Sequence, residues 1–311
     1  MITVYNTENG RLKQTQDMTQ GAWINLCAPT EKEIAHVSTK LAIDPSAIRA
    51  ALDEEERSRI EQEDDYLLIL VDIPAVEMHQ KRGFMYTTLP FGIILTNDFI
   101  ITVCLQENAL TKAFTDNPLK NFSTKKKNRM TLQMLYRNAT LFLFYLREVE
   151  KASNRLENEL HETMRNKELI QMLSLEKALV YFSTSLKGNE VVLEKLLRMD
   201  FVKNFPDDTD LLEDVIIENK QAIEMAKIYR DILSGTMNAF SSVMSNNLNT
   251  VMKVLASLTV ILTIPTIIFG LWGVNVPVPF ERTPGAFWIL IGISLFFTIA
   301  SIIFMIRKKW L

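Results

Sequence analysis

The most apolar part of this chain carries a ladder of uncharged oxygen-bearing side chains. In SNNLNTVMKVLASLTVILTIPT, residues Asn249, Thr259, Thr263 and Thr266 recur at helical spacing, with Met252 and Leu255 between them. Those steps place all six on one face of a helix. A few residues on, FGLWGVNVPVPF sets Gly273, Val274 and Asn275 at the end of the same apolar run. Amide and hydroxyl oxygens accept hydrogen bonds without carrying charge. That chemistry suits a hydrated divalent cation, because carboxylates would bind the ion tightly and trap it. Small hard cations shed water reluctantly, so neutral oxygens can hold the hydration shell without removing it. At Gly-x-Asn, glycine lets a backbone carbonyl approach an axis and asparagine adds an oxygen acceptor. The stripe fits two roles. It is a helix contact, since small polar residues are common where membrane helices touch. Or it is one wall of a pore, with Met252 and Leu255 as apolar rings that gate by dewetting.

Other chemistries find little support. The 311 residues hold 34 Lys and Arg against 37 Asp and Glu, a net charge of −3. No basic face marks a nucleic-acid partner. Lys125, Lys126 and Lys127 read as a solvated loop. The two cysteines, Cys27 and Cys104, and the three histidines, His36, His79 and His161, are scattered and match no zinc or redox spacing. The thiols read as reduced and buried. No nucleophile–base pair or phosphate-cradling loop is present, so a soluble enzyme is not expected. Acidic clusters stand at residues 53–56, 61–65 and 207–214. They are solvated surface, or divalent-cation sites between subunits.

The elements that must position the stripe follow from charge and hydropathy. Residues 254–280 and 285–306 contain no charged side chain. A bilayer core needs about 20 apolar residues per helix, so 254–272 and 286–306 read as two membrane spans joined by the loop 273–285. The start, MITVYNTENG, lacks the pattern of a signal peptide. Lys253 precedes the first span, and Arg307, Lys308 and Lys309 follow the second, whereas the loop carries only Glu281 and Arg282. The positive-inside rule then puts both termini in the cytoplasm. We therefore expect an α+β protein of the cytoplasmic membrane with three parts: a cytoplasmic α/β domain at 1–122, a helical stalk region at 123–250 and a pore domain at 251–311.

Within the first part, 2–5 and 22–26 are short β-prone runs, and helices open at Pro29-Thr30 and at Pro45. YLLILVDI reads as a buried strand, and 84–89 with 91–95 continues the pattern. Asn97-Asp98 turns the chain into FIITVC. From residue 128 the composition turns helical: 137–164, then 167–186, then a long helix from 211. Leu212, Val215, Asn219, Ala222, Ala226, Tyr229, Leu233 and Phe240 form a coiled-coil-like seam. With no break before the first span, one helix of more than 60 residues, roughly 90 Å, is expected. Two spans cannot enclose a pathway, so a pore requires an oligomer with the first span at its centre, and the seam is the expected means of association.

These features resemble the CorA magnesium and cobalt transporter family, within the wider superfamily of two-span divalent-cation channels. The resemblance rests on SNNLNTVMKVL, Pro265 inside the first span, FGLWGVN at its outer end, the short loop, and the basic tail RKKWL. It implies a funnel-shaped homopentamer in membrane lipid, with Mg²⁺ as transported and regulatory ion and no organic cofactor. The family's Gly-Met-Asn signature falls on Gly273, Val274 and Asn275, a first-contact site for hydrated Mg²⁺. The inner pore positions fall on Asn249, Met252, Leu255, Thr259, Thr263 and Thr266. Family members are thought to close when cytosolic Mg²⁺ fills acidic sites between subunits. The matching stalk residue is Asp214, with Asp72 and Glu77 as candidate partners on the α/β domain. Val274 departs from the signature methionine, and the loop's one acid beside one base gives no net charge to concentrate cations. The alternative on the same scaffold is a Zn²⁺ transporter, coupled to protons or not. A two-span sensor is a third class, but no output domain is recognisable.

Overall fold

The computed structural model describes residues 1–8, 11–79, 83–116, 122–163, 166–199, 201, 206–279, 284–308 and 310. The chain divides into two compact units, Met1–Thr236 and Met237–Leu311.

The first unit is built on a seven-stranded sheet. Its strands are β1 (Ile2–Glu8), β2 (Arg11–Thr15), β3 (Trp23–Cys27), β4 (Arg59–Gln62), β5 (Tyr66–His79), β6 (Gly83–Thr96) and β7 (Ile100–Cys104). They lie in the order β2-β1-β3-β7-β6-β5-β4, and among the described residues β3 and β7 pair in parallel while the other neighbours are antiparallel. YLLILVDI is continuously apolar because both faces of β5 are covered. Leu68 and Leu70 join one core with Ile34, Val37 and Ile48, whereas Ile69, Val71 and Ile73 join the other with Met130, Leu132 and Leu193. The first core lies under α1 (Glu31–Leu41) and α2 (Pro45–Ala50), the second under α3 (Ala109–Asp116), α4 (Lys127–Thr163), α5 (Asn166–Arg198) and the start of α6 (Pro206–Trp272). Thr30 opens α1 with a capping box: its hydroxyl accepts from Glu33 N–H at 3.3 Å, and the Glu33 carboxylate accepts from Thr30 N–H at 2.8 Å.

The two apolar runs around Pro90 are one strand. Pro90 stands opposite Asp72, and pairing with β7 begins only at Phe91, so the missing N–H lies where β6 has no second neighbour. The sheet also includes β2 and β4, which are polar and short and gave no apolar run to read.

Three sequence expectations change here. The first concerns the seam. Leu212, Val215, Asn219, Ala222, Ala226 and Leu233 are buried, but inside a single chain. Leu212 and Val215 belong to the core with α4 and α5, Asn219 donates to the Leu186 carbonyl at 3.0 Å, and Tyr229 donates to the Glu150 carboxylate at 2.9 Å. The seam therefore holds α6 to its own α4–α5 hairpin and is not free to join subunits. The second concerns Lys127, which is not loop: it opens α4, and its ammonium donates to the carbonyls of Thr96 and Asn97. Burial lowers its pKa, partly offset by Asp98. The third concerns the cysteines. They are far apart in sequence but directly opposite each other across β3 and β7, and only Cys104 is buried as expected, since Cys27 at the end of β3 is half-exposed.

An amide cluster ties α4 and α5 to the sheet. β4 pairs with β5 only at Leu67–Leu70, so Asp72 lies beyond its end. Asn189 takes the place of a strand there: its side chain accepts from Asp72 N–H at 2.8 Å and donates to the Asp72 carbonyl at 2.9 Å. Asn138 donates to the same carbonyl at 2.8 Å, and Ser58 donates to Asn189 at 3.0 Å. Gly188, next to Asn189, permits this approach, since a Cβ there would sit 3.1 Å from the Ser58 hydroxyl.

The second unit contains the C-terminal part of α6 and the helix α7 (Ala286–Arg307). α6 runs unbroken for 67 residues, in agreement with the single long helix expected.

Candidate ion pathway

Among the described residues, two helices, α6 and α7, are long and apolar enough to cross a membrane. Their apolar windows are only 6% and 11% buried, which is unlike the core helix of a soluble protein.

The stripe lies on the side of α6 turned away from α7. At about 100° per residue, Asn249, Met252, Leu255, Thr259, Thr263 and Thr266 fall within a sector about 120° wide. All six are exposed. The sheltered positions of this stretch are Ser257, Ile261, Ile264, Pro265 and Ile268, and they centre on the opposite side. Pro265 and Phe269 border a cavity with Ile291, Ser294, Leu295, Thr298 and Ile299, which identifies α7 as what shelters that side. Ser257 and Ser294 are buried, as small residues are where membrane helices approach closely.

Each threonine hydroxyl already uses its proton within the helix. Thr259 donates to the Leu255 carbonyl at 2.9 Å, Thr263 to that of Thr259 at 2.7 Å, and Thr266 to that of Leu262 at 2.9 Å. What the hydroxyls present outward is therefore oxygen lone pairs. Water molecules around a cation point their protons outward, so an acceptor-only surface matches a hydrated ion. Pro265 removes one backbone N–H from the same segment and leaves the Ile261 carbonyl without its usual partner.

At the end of α6, Gly273 N–H still donates to the Phe269 carbonyl at 2.9 Å. A Cβ on Gly273 would lie 3.2 Å from that carbonyl oxygen, so glycine is what the close turn accepts without displacement. Val274 and Asn275 follow outside the helix and are exposed. The indole of Trp272 donates to the Pro279 carbonyl at 3.1 Å and folds the chain 273–279 back on the helix end. Sequence reasoning assigned Trp272 no role; its place beside Gly-Val-Asn, with Pro277 and Pro279 after it, was the available signal. Glu281 and Arg282 lie outside the described residues, as does Lys309 of the basic tail.

The three carboxylates proposed for regulation sit in different settings. Asp214 on α6 and Glu77 on β5 are exposed. Asp72 is half-buried; desolvation raises its carboxyl pKa, and a hydrogen bond with Ser185 works in the opposite direction. Among the described residues, no three His, Cys, Asp or Glu side chains gather as a metal site within one chain. Arg59 pairs with Glu56 at 2.5 Å and Glu61 at 2.6 Å, and Arg129 pairs with buried Asp208 at 2.9 Å. Parts of all three acidic clusters are thus neutralised by arginine inside the chain.

Comparison with known proteins agrees with this architecture. The chain is 28% identical over 304 residues to the cobalt/magnesium transport protein CorA of Methanocaldococcus jannaschii, covering 93% of this chain and 91% of that protein. It is 21% identical over 306 residues to the cobalt/magnesium transport protein CorA of Thermotoga maritima, covering 95% and 85%. The complete structure of the CorA magnesium transporter from Methanocaldococcus jannaschii superposes with a TM-score of 0.84 at 22% identity, covering 100% of this chain and 99% of that one. The fold is therefore that of a soluble α/β domain, a long helix and two C-terminal apolar helices. The family model described as CorA-like Mg²⁺ transporter protein matches residues 19–308. With nearly its whole length matched, this chain belongs to the CorA-like Mg²⁺ transporter family and is a membrane protein of divalent cation transport.

Proposed function

We propose that the chain is one subunit of a funnel-shaped homopentameric channel that carries Mg²⁺, and with it Co²⁺ and Ni²⁺, inward across the cytoplasmic membrane. The observation that carries this reading is the face of α6 whose threonines present only acceptor oxygens outward, exposed on the side opposite α7. Five copies around an axis turn Asn249, Thr259, Thr263 and Thr266 into rings of neutral oxygen. Met252 and Leu255 become apolar rings that stop conduction when they dewet. Gly273 and Asn275 form the outer mouth, where a backbone carbonyl and an amide oxygen receive the hydrated ion. The membrane potential drives the ion inward, with both termini in the cytoplasm. It contributes about 2.3 kcal/mol per charge per 100 mV, hence twice that for a divalent ion.

Association does not use the seam of α6, which is occupied within the chain. Ile217, Ile228 and Ile232 remain exposed on α6 and offer an apolar face for neighbouring subunits. Cytosolic Mg²⁺ closes the channel by bridging subunits through Asp214 and an acid on the α/β domain. Glu77 fits that partnership better than Asp72, because its carboxylate is exposed whereas Asp72 is half-buried and its charged form is disfavoured by desolvation. The alternative cargo is Zn²⁺. Val274 in the signature leaves room for it, but the stripe has no imidazole, thiolate or carboxylate to prefer a softer ion. Competition among Mg²⁺, Co²⁺, Ni²⁺ and Zn²⁺ for flux into liposomes, at several pH values, separates the two. Mg²⁺ flux independent of a proton gradient supports the proposal. Zn²⁺ flux that outcompetes Mg²⁺ and follows the gradient overturns it.

A further inference from the structure

The chain has two cysteines, and the fold brings them together. Cys27 closes β3 and Cys104 closes β7, and the two are register partners in the parallel pair of the sheet. Register partners on neighbouring strands carry their side chains on the same face, with backbones about 4.8 Å apart. The face is confirmed by the residues in step with them. Trp23 donates to the Thr102 hydroxyl at 2.8 Å, and Thr102 donates to Asn25 at 2.8 Å, so Trp23, Asn25 and Cys27 share a side with Thr102 and Cys104. The two thiols are close enough for the Cys27 side chain to act on the Cys104 thiol, whose pKa is raised first by burial and then by Cys27. The Cys104 thiol also reaches the Leu26 carbonyl at 3.7 Å. Just past the strand ends, Ala28 N–H donates to the Cys104 carbonyl at 2.9 Å and holds the two termini in line.

From this geometry we infer that Cys27 and Cys104 form a reversible oxidation site, closing to an intrachain disulfide when the protein meets a hydroperoxide. A disulfide accepts Cα separations of about 4.4–6.8 Å, a window that contains the spacing of neighbouring strands. The two thiols differ in access. Cys104 is buried and Cys27 is half-exposed, with the Lys112 ammonium close to it. Burial pushes the Cys104 thiol up, so it keeps its proton and waits. Cys27 reacts first: its thiolate attacks one peroxide oxygen, the O–O bond breaks, and an alkoxide leaves and takes a proton to become an alcohol. The product is a sulfenic acid on Cys27. The Cys104 sulfur then attacks the Cys27 sulfur. An S–S bond forms, the S–O bond breaks, and hydroxide leaves with the Cys104 proton as water. Two thiols are oxidised to a disulfide and one hydroperoxide is reduced to an alcohol and water. A thiol reductant reverses the step by exchange.

The site lies in the α/β unit and uses no residue of the proposed pathway, so it stands or falls independently of the transport reading. The test treats the full-length protein in detergent with hydrogen peroxide, then denatures it in N-ethylmaleimide and measures the intact mass. The expected product has lost two hydrogens, takes no maleimide, yields a Cys27–Cys104 cross-linked peptide and regains both alkylations after dithiothreitol. In Cys104→Ser, Cys27 is expected to accumulate as a sulfenic acid that dimedone traps. Two alkylated cysteines after peroxide, a disulfide between chains, or Cys27 oxidised to sulfinic acid while wild-type Cys104 still takes maleimide would each overturn the proposal.

Discussion

Replacing Thr259 and Thr263 together by valine removes two oxygens from the stripe while keeping the β-branched shape. The structure sets the cost on each side of the comparison. Within the helix, each hydroxyl donates to a carbonyl four residues back, at 2.9 Å and 2.7 Å. Such a carbonyl keeps its backbone partner when the hydroxyl is gone, so folding changes by less than about 1 kcal/mol. Toward the pathway, each threonine loses its outward lone pairs. One hydrogen bond to a hydration water has a net worth of about 0.5–1.5 kcal/mol, so two amount to about 1–3 kcal/mol. A 1.4 kcal/mol loss is about tenfold, and Mg²⁺ flux should fall about fivefold or more. The assay is Mg²⁺ entry into liposomes, with Ile261→Val and Ile264→Val on the sheltered side as controls that conduct normally. A folded double variant that conducts like the wild type refutes the pathway. If the oligomer instead loosens in detergent while flux is unchanged, the stripe is a helix contact.

Other consequences can be checked separately. Asn189→Ala strips Asp72 N–H of its partner and should lower the unfolding free energy by about 1–3 kcal/mol, read by thermal or denaturant unfolding. Desolvation raises the Asp72 carboxyl above its ordinary 3.8, so the folded chain holds that proton more tightly than the unfolded chain does. The stability it contributes is complete below 3.8 and is lost as pH rises through the folded value. Asp72→Asn should therefore melt above the wild type at neutral pH, with the gap closing as the pH falls toward that value. Asp214→Asn with Glu77→Gln should raise the internal Mg²⁺ needed for half-closure by about fivefold or more, measured as flux into liposomes loaded with increasing Mg²⁺.

Much of this molecule is written locally in its sequence. The two spans, the unbroken α6 and the face that carries the threonines follow from period and charge, and the structure buries the seam positions Leu212, Val215, Asn219, Ala222, Ala226, Leu233 and Phe240, with Tyr229 half-buried. What the seam binds was not legible. A three- and four-residue rhythm says that a helix face is covered, but not whether the cover comes from the same chain or a neighbour. The cysteines show the same limit. Their adjacency depends on β7 inserting beside β3, a parallel pairing of residues 77 positions apart, Trp23 with Ile100 through Cys27 with Cys104, and the residues at those strand ends say nothing about it. Asn189 was missed because a polar residue inside a helix reads as surface; its signal was Gly188, a glycine in mid-helix that marks a close approach. At the candidate pathway, residue types and spacing were enough to define the stripe, whereas the acceptor-only character of its threonines required the hydrogen bonds.

The central claim is that the outer mouth receives a hydrated divalent ion through Asn275. Mg²⁺ flux into liposomes, compared between the wild type and Asn275→Ala, tests it most directly. Hydrogen bonds to a charged ion's shell are worth about 1.5–3 kcal/mol, so the variant should conduct about tenfold less or lower still, with its oligomer intact. Equal Mg²⁺ flux through both proteins would contradict the account.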